Sequence, residues 1–293
     1  MINTSNAKPK YIIFFLFLVL LAIGTFYVWK KQAASAPKKI QITAKNIPTQ
    51  IIEPTKDIGV KYTHPKIEKK REYQIVMLGD SMTYALGPHG GPFYEDINAL
   101  FKKDNHGILV DNYAEPSTSI LTIDKAMNKK EKYWDVSFEP LMSRKFDLIL
   151  IESFGYNPLS QYTREEGLKK QTEILDQTVK SLIASHPASA IMFVATIAPS
   201  KDDYGRPHQT ALSPGDRLKE VDERIAFIQN HIDYAEAHNI PIINIYKASQ
   251  TSTGDGNKEY INPDDDIHPS AVGIKFIGSQ LADFIYASNI FPK

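Results

Sequence analysis

The run YQIVMLGDSMT, residues 73–83, decides how this chain is read. Ile75, Val76, Met77 and Leu78 form a continuous apolar stretch after charged residues, the pattern of a strand buried on both faces of a parallel sheet. Gly79-Asp80-Ser81 ends that stretch abruptly. Reacting groups in open α/β sheets sit beyond the carboxyl ends of the strands, so Ser81 stands where a nucleophile is useful. Glycine, aspartate and serine also favour plain turns, and the triplet alone does not separate the two readings. The rest of the chain has to supply a base, a carboxylate to orient it, and oxyanion donors at neighbouring strand ends.

Downstream, apolar runs at 108–110, 147–154 (DLILIESF), 190–197 and 240–245 predict four more strands. Helical spacing fills the intervals. Ile97 and Leu100-Phe101 form a stripe within 93–103, residues 120–130 read as helical, and 134–142 is ambiguous. Thr163 and Glu166 form a capping box before Leu168, Leu175, Val179 and Leu182. Ser213-Pro214 with Asp216 opens a helix that places Leu218, Val221, Ile225, Ile228 and Ile232 on one face. A last helix starts near Ser270 and is expected to bury Ile274, Ile277, Leu281 and Phe284. Five alternations predict an α/β fold, a five-stranded parallel sheet covered on both sides in a three-layer α/β/α sandwich.

Upstream, residues 11–29, YIIFFLFLVLLAIGTFYVW, carry no charge and are flanked by Lys8, Lys10, Lys30 and Lys31. That length suits one transmembrane helix. A signal peptide cut after Ala34-Ser35-Ala36 competes, but the apolar run exceeds the usual length and Pro37 would follow the cut. The chain therefore divides into a tail (1–10), a membrane anchor (11–29), a stem with scattered prolines and lysines (30–72) and a folded domain (73–293). Lysines 30, 31, 38 and 39 outnumber the two before the span, which by charge alone favours a cytoplasmic domain. The position of the anchor at the start of the chain favours the opposite, a single-pass protein of the cell membrane with an extracytoplasmic domain.

With 34 basic and 34 acidic side chains, no overall field points to nucleic acid. The absence of cysteine excludes a disulfide, a thiol nucleophile and a lipid-modified cysteine. There is no phosphate-binding glycine loop, dinucleotide fingerprint or His-Glu-x-x-His.

Three strand ends carry candidate chemistry. After the second run comes NYAEPSTS, residues 112–119, a polar loop whose amides could face Ser81 or simply cap a helix. After the third comes Gly155-Tyr156-Asn157-Pro158, where an asparagine N–H can meet an oxyanion, or where Asn-Pro merely turns the chain. After the fifth comes DDDIHPS, residues 264–270. Asp265 and His268 are three apart, so on one tight turn the carboxylate can hold the imidazole in the tautomer that accepts the serine proton. A solvated acidic loop, or a calcium loop using Asp255, Asn257 and the three aspartates, competes, but the glycine a calcium loop requires is missing. No metal or other cofactor is expected. The histidines at 64, 89, 106, 186, 208, 231 and 238 read as surface or capping residues. The long connection 200–212, with Tyr204, Arg206 and His208, either borders the substrate or is a mobile surface loop.

These blocks, in this order, resemble the GDSL, or SGNH, hydrolase family across residues 73–285. Gly79-Asp80-Ser81 matches its first block, and residues 112–119 its second, with Ser117 where the family commonly has glycine. Gly155-Tyr156-Asn157 matches the third, with Pro158 where aspartate is usual, and Asp265 to His268 matches the last. The resemblance implies a flavodoxin-like sandwich and an esterase with Ser81 as nucleophile, His268 as base and Asp265 as its orienting acid. It also implies an oxyanion hole from Ser81, Ser117 and Asn157, supported by Gly79, Asp80 and Gly155. The implied substrates are ester-bearing small molecules, lipid-like esters or O-acyl groups of envelope glycans. An O-acyltransferase shares the first half-reaction, and a catalytically silent binding module shares the fold. Serine replaces glycine at 117 without loss only if the loop does not demand positive φ, and Pro158 bears on the aim of Asn157.

Overall fold

The computed structural model describes residues 61–129, 131–133, 136–208 and 212–293. The apolar span 11–29 lies outside these residues, and among the described residues no helix is long and apolar enough to cross a membrane. In chain order the elements are β1 (Glu72–Leu78), a single turn α1 (Ser81–Tyr84), α2 (Pro92–Lys102), β2 (Gly107–Asn112) and α3 (Ile123–Asn128). A small antiparallel hairpin, β3 (Glu131–Tyr133) and β4 (Val136–Phe138), occupies much of the stretch the sequence leaves ambiguous. Then follow β5 (Leu148–Glu152), α4 (Arg164–Ser185), β6 (Ala190–Ala195), α5 (Pro214–Ala237), β7 (Ile242–Asn244), α6 (Ile245–Ala248) and α7 (Ala271–Ala287).

The five expected strands form one parallel sheet in the order β2-β1-β5-β6-β7. The order reverses between β1 and β5, and at such a switch point the loops leaving the two strands diverge and open a crevice. Strand alternation separates the two cores. Ile75, Met77, Leu148 and Leu150 pack with Phe93, Ile97 and Phe101 of α2 and Ile277, Leu281 and Ile285 of α7. Val76, Leu78, Ile149 and Ile151 pack on the other face with Leu175, Val179 and Leu182 of α4.

Both helix starts read from sequence are built as expected. Thr163 and Glu166 exchange both bonds of a capping box, and the Ser213 hydroxyl accepts the Asp216 N–H. Two apolar positions differ. Leu218 is 44% and Phe284 38% exposed. At the start of α5 it is Arg217 that turns inward, because its guanidinium donates to the Tyr204 carbonyl, and on α7 Ile285 rather than Phe284 falls in line with Ile277 and Leu281. The described end of the stem, residues 61–71, lies against the domain. Tyr62 is buried, donates its N–H to the His238 carbonyl at 2.7 Å and accepts the Ile191 N–H on its hydroxyl at 2.8 Å.

Two histidines assigned to the surface are buried. His106 is 5% exposed and its Nδ1 meets the Lys70 carbonyl. His231 is fully buried, stacked on Phe193 at 4.2 Å, with Nε2 donating to the Ile151 carbonyl at 3.2 Å. Burial drives its pKa from 6.5 down to about 3, so the ring is neutral in the fold. The unfolded chain takes up this proton near pH 6.5 while the fold refuses it until about pH 3, so stability is fully present above pH 6.5 and falls between those limits. Between pH 7 and 5 this one group is expected to cost about 2 kcal/mol. Urea unfolding of His231→Gln, which cannot charge, should show a loss smaller by that amount over the same interval. Equal losses in the two proteins would refute the assignment.

Candidate active site

Ser81 is the first residue of α1, immediately beyond the carboxyl end of β1. Asp80 caps that turn, its Oδ1 accepting the Met82 N–H at 2.9 Å. Gly79 has to be glycine for lack of room. A Cβ there would stand 2.5 Å from Thr83 Oγ1 and 2.9 Å from Glu152 Cβ. The next strand locks the turn in place, because the buried Asn112 amide donates to the carbonyls of Thr83 at 2.9 Å and Gly87 at 3.0 Å.

Asp265 and His268 do share one turn. Asp265 Oδ2 accepts His268 Nδ1–H at 2.8 Å, while Oδ1 accepts the N–H groups of Ile267 at 2.8 Å and His268 at 2.9 Å. Partial burial pushes this carboxyl up, but the His268 ring and those N–H groups outweigh it and hold it below its ordinary value. Asp265 is therefore a carboxylate at neutral pH, and a neutral ring that donates to it through Nδ1 presents a bare Nε2. Burial raises the carboxyl of Asp80, beside Ser81, and the Met82 N–H, the Asn157 amide and His268 in its charged form oppose that rise. Ser81 Oγ and His268 Nε2 are not hydrogen-bonded to each other.

Asn157 lies on the loop after β5 and donates Nδ2–H to Asp80 Oδ2 at 2.9 Å. Pro158 has not turned it away from the serine. One amide hydrogen is used by Asp80 and the second remains for a ligand. The backbone N–H groups of Ser81 and Ser117 have no acceptor among the described residues. Gly155 allows the close approach of α5, where any Cβ would collide with Ile228 Cγ1.

Backbone strain gathers at this rim. Among the described residues six non-glycine positions have positive φ, and three of them, Asn105, Asn239 and Asn289, are asparagines, which tolerate it. The others are Ser117 (φ 60°), Phe154 (53°) and Asp266 (54°), one on each of three loops around Ser81. The Ser117 loop thus does demand positive φ, and serine adopts it at a cost of roughly 1–2 kcal/mol. Strain of this kind is kept where surrounding structure over-determines it, as at ligand sites.

The sequence reading passed over one part of the site and left a second open. Glu152, the last residue of β5, is 2% exposed, and its Oε2 accepts the N–H groups of Phe154 at 3.0 Å and Asp80 at 3.4 Å. A carboxylate directly after the apolar run Leu148 to Ile151 is the signal that could have found it. Of the connection after β6, residues 203–206 are pinned rather than free. Tyr204 is buried under the Arg224 guanidinium, 4.6 Å above its ring, and Gly205 N–H bonds the Asp266 carbonyl at 3.2 Å. Asp203 pairs with both Arg206 and Lys258, so this connection braces the turn that carries His268.

A serine past the end of β1, an aspartate-held histidine after β7 and an asparagine amide after β5 lie on loops that follow the strands of this parallel sheet. The chain belongs to the GDSL-like Lipase/Acylhydrolase family, whose pattern matches residues 75–281. Among solved structures it is similar to the lipase/acylhydrolase from Enterococcus faecalis, with a TM-score of 0.50 and 20% identity, covering 74% of this chain and 96% of that one. It is also similar to an acetyl xylan esterase, with a TM-score of 0.50 and 11% identity over 72% of this chain and 99% of that one. At these identities the likeness is one of fold. No match is found among curated proteins.

Proposed function

We propose that this protein is a membrane-anchored serine esterase, held through residues 11–29, that removes O-acyl groups from glycans of the cell envelope by way of an acyl-enzyme. The observation that carries the reading is the Asp265–His268 hydrogen bond at 2.8 Å, which sets the imidazole as a base on a loop after β7. In the first half-reaction Ser81 Oγ attacks the ester carbonyl while His268 Nε2 takes its proton. The oxyanion meets the N–H groups of Ser81 and Ser117 and the spare Nδ2–H of Asn157. Collapse expels the alcohol, which receives the proton from His268. A water then repeats the sequence on the acyl-enzyme, releasing the acid and restoring Ser81.

Asp265, stabilised as a carboxylate by the bonds it accepts, keeps the imidazole in the competent tautomer throughout. A half-buried Ser81, on a domain that this reading places outside the cytoplasm, suits ester groups borne on a polymer. An alkyl phosphonate probe is expected to label the wild type once per chain, at Ser81, and to leave Ser81→Ala unlabelled. Equal labelling of that variant would remove Ser81 from the mechanism.

A further inference from the structure

We propose that Glu152 is a positioning residue of this site, a neutral carboxylic acid that clamps the ends of β1 and β5 together and thereby fixes Asn157 against Asp80. The inference rests on the proposed esterase function, since it concerns the aim of the oxyanion donor. It begins with an apparent fault in the sequence. A carboxyl at the end of a strand buried on every side is expensive unless it is hydrogen-bonded, and more so if it is charged.

Glu152 is fully committed to local backbone. Its Oε2 joins the Asp80 N–H on β1's side to the Phe154 N–H on β5's side, and its Oε1 accepts the Ser153 hydroxyl. Phe154 is the bulky residue held at φ 53°, and its carbonyl accepts the Asn157 N–H at 3.1 Å. The chain of contacts therefore runs from Glu152 through the strained Phe154 turn to the Asn157 backbone. By a second route it runs through Asp80, whose Oδ2 receives the Asn157 side chain. Below the clamp is a cavity of about 10 Å³, lined by Glu152, Thr83 and Thr196 among apolar side chains, which leaves the carboxyl little solvent.

Two carboxyls this close in a dry setting do not both ionise. Burial and then the charge of Asp80 push Glu152 well above the carboxylate range. Burial also raises Asp80, but the Met82 N–H, the Asn157 amide and the charge of His268 oppose that rise. Glu152 is accordingly the member that keeps the proton.

The consequence inverts the usual ranking of conservative changes. Glu152→Gln preserves length and neutrality, whereas Glu152→Asp preserves the acid but draws it back by one methylene, out of reach of the two N–H groups. On a soluble acyl ester, Glu152→Gln is expected to keep kcat within about threefold of wild type. Glu152→Asp is expected to lose tenfold or more in kcat with KM within twofold. A purely structural role would lower the amount of folded enzyme without splitting kcat from KM. An aspartate variant as fast as wild type overturns the inference. So does a glutamine variant that is unfolded or as slow as the aspartate one, or a loss confined to KM. Should Glu152→Asp not fold, Glu152→Met, of similar length but without acceptors, takes its place under the same thresholds. Ser81→Ala is assayed alongside. If it remains active the esterase mechanism falls, whereas if it is dead and the glutamine and aspartate results are reversed, only the role of Glu152 falls.

Discussion

His268→Ala is expected to lower kcat on a soluble short-chain acyl ester by about a thousandfold or more, with KM little changed. The base acts only as charge develops on Ser81 Oγ, so its removal takes stabilisation from the transition state and not from the bound ester. Asp265→Asn should come close to the same loss through a different cause. Asp265 Oδ1 is already claimed by the N–H groups of Ile267 and His268. An asparagine oxygen would keep those two bonds, and its NH₂ would then face Nδ1. The ring would answer by accepting at Nδ1 and carrying its proton on Nε2, the nitrogen that has to be bare. Steady-state kinetics and phosphonate labelling of both variants, with circular dichroism to confirm folding, check this. A folded His268→Ala enzyme within tenfold of wild type would mean that another base serves Ser81.

Asn157→Ala is the second large effect, expected at roughly a hundred- to a thousandfold in kcat, the range for loss of one oxyanion donor. Here the loss has a companion in stability. Asp80 is fully buried, and without the 2.9 Å bond from Asn157 its carboxyl retains less to offset burial. Folded Asn157→Ala should therefore be both slow and less stable, by about 1–3 kcal/mol. A variant that is less stable but turns over at the wild-type rate would leave Asn157 as a support for Asp80 and nothing more.

The sheet was legible because its central strands β1, β5 and β6 are buried on both faces, and such strands are written as unbroken apolar runs such as Ile75 to Leu78. The Asp265–His268 pair was legible for a related reason, since three residues of spacing on one turn is a local arrangement. What could not be read depends on backbone dihedrals and on distant partners. Nothing in the identity of Ser117 announces a φ of 60°. His231 sits among polar neighbours on a helix, and only the packing of α5 shows that it faces Phe193. Tyr204 looks like a loop tyrosine until Arg217 and Arg224, contributed by the following helix, close on it. Leu218 shows the limit of a periodic stripe, because one buried arginine is enough to rotate the first turn.

The way residues 61–71 join the domain bears on how the enzyme meets a large substrate. Tyr62 is fastened at Ile191, near the start of β6, and Lys70 at Asp147, just ahead of β5, whereas Ser81 and Asn157 lie past the far ends of β1 and β5. Strands of this length are about 17–20 Å long. The described end of the stem therefore meets the domain at the amino-terminal ends of the strands, one strand length away from the rim that carries Ser81 and Asn157.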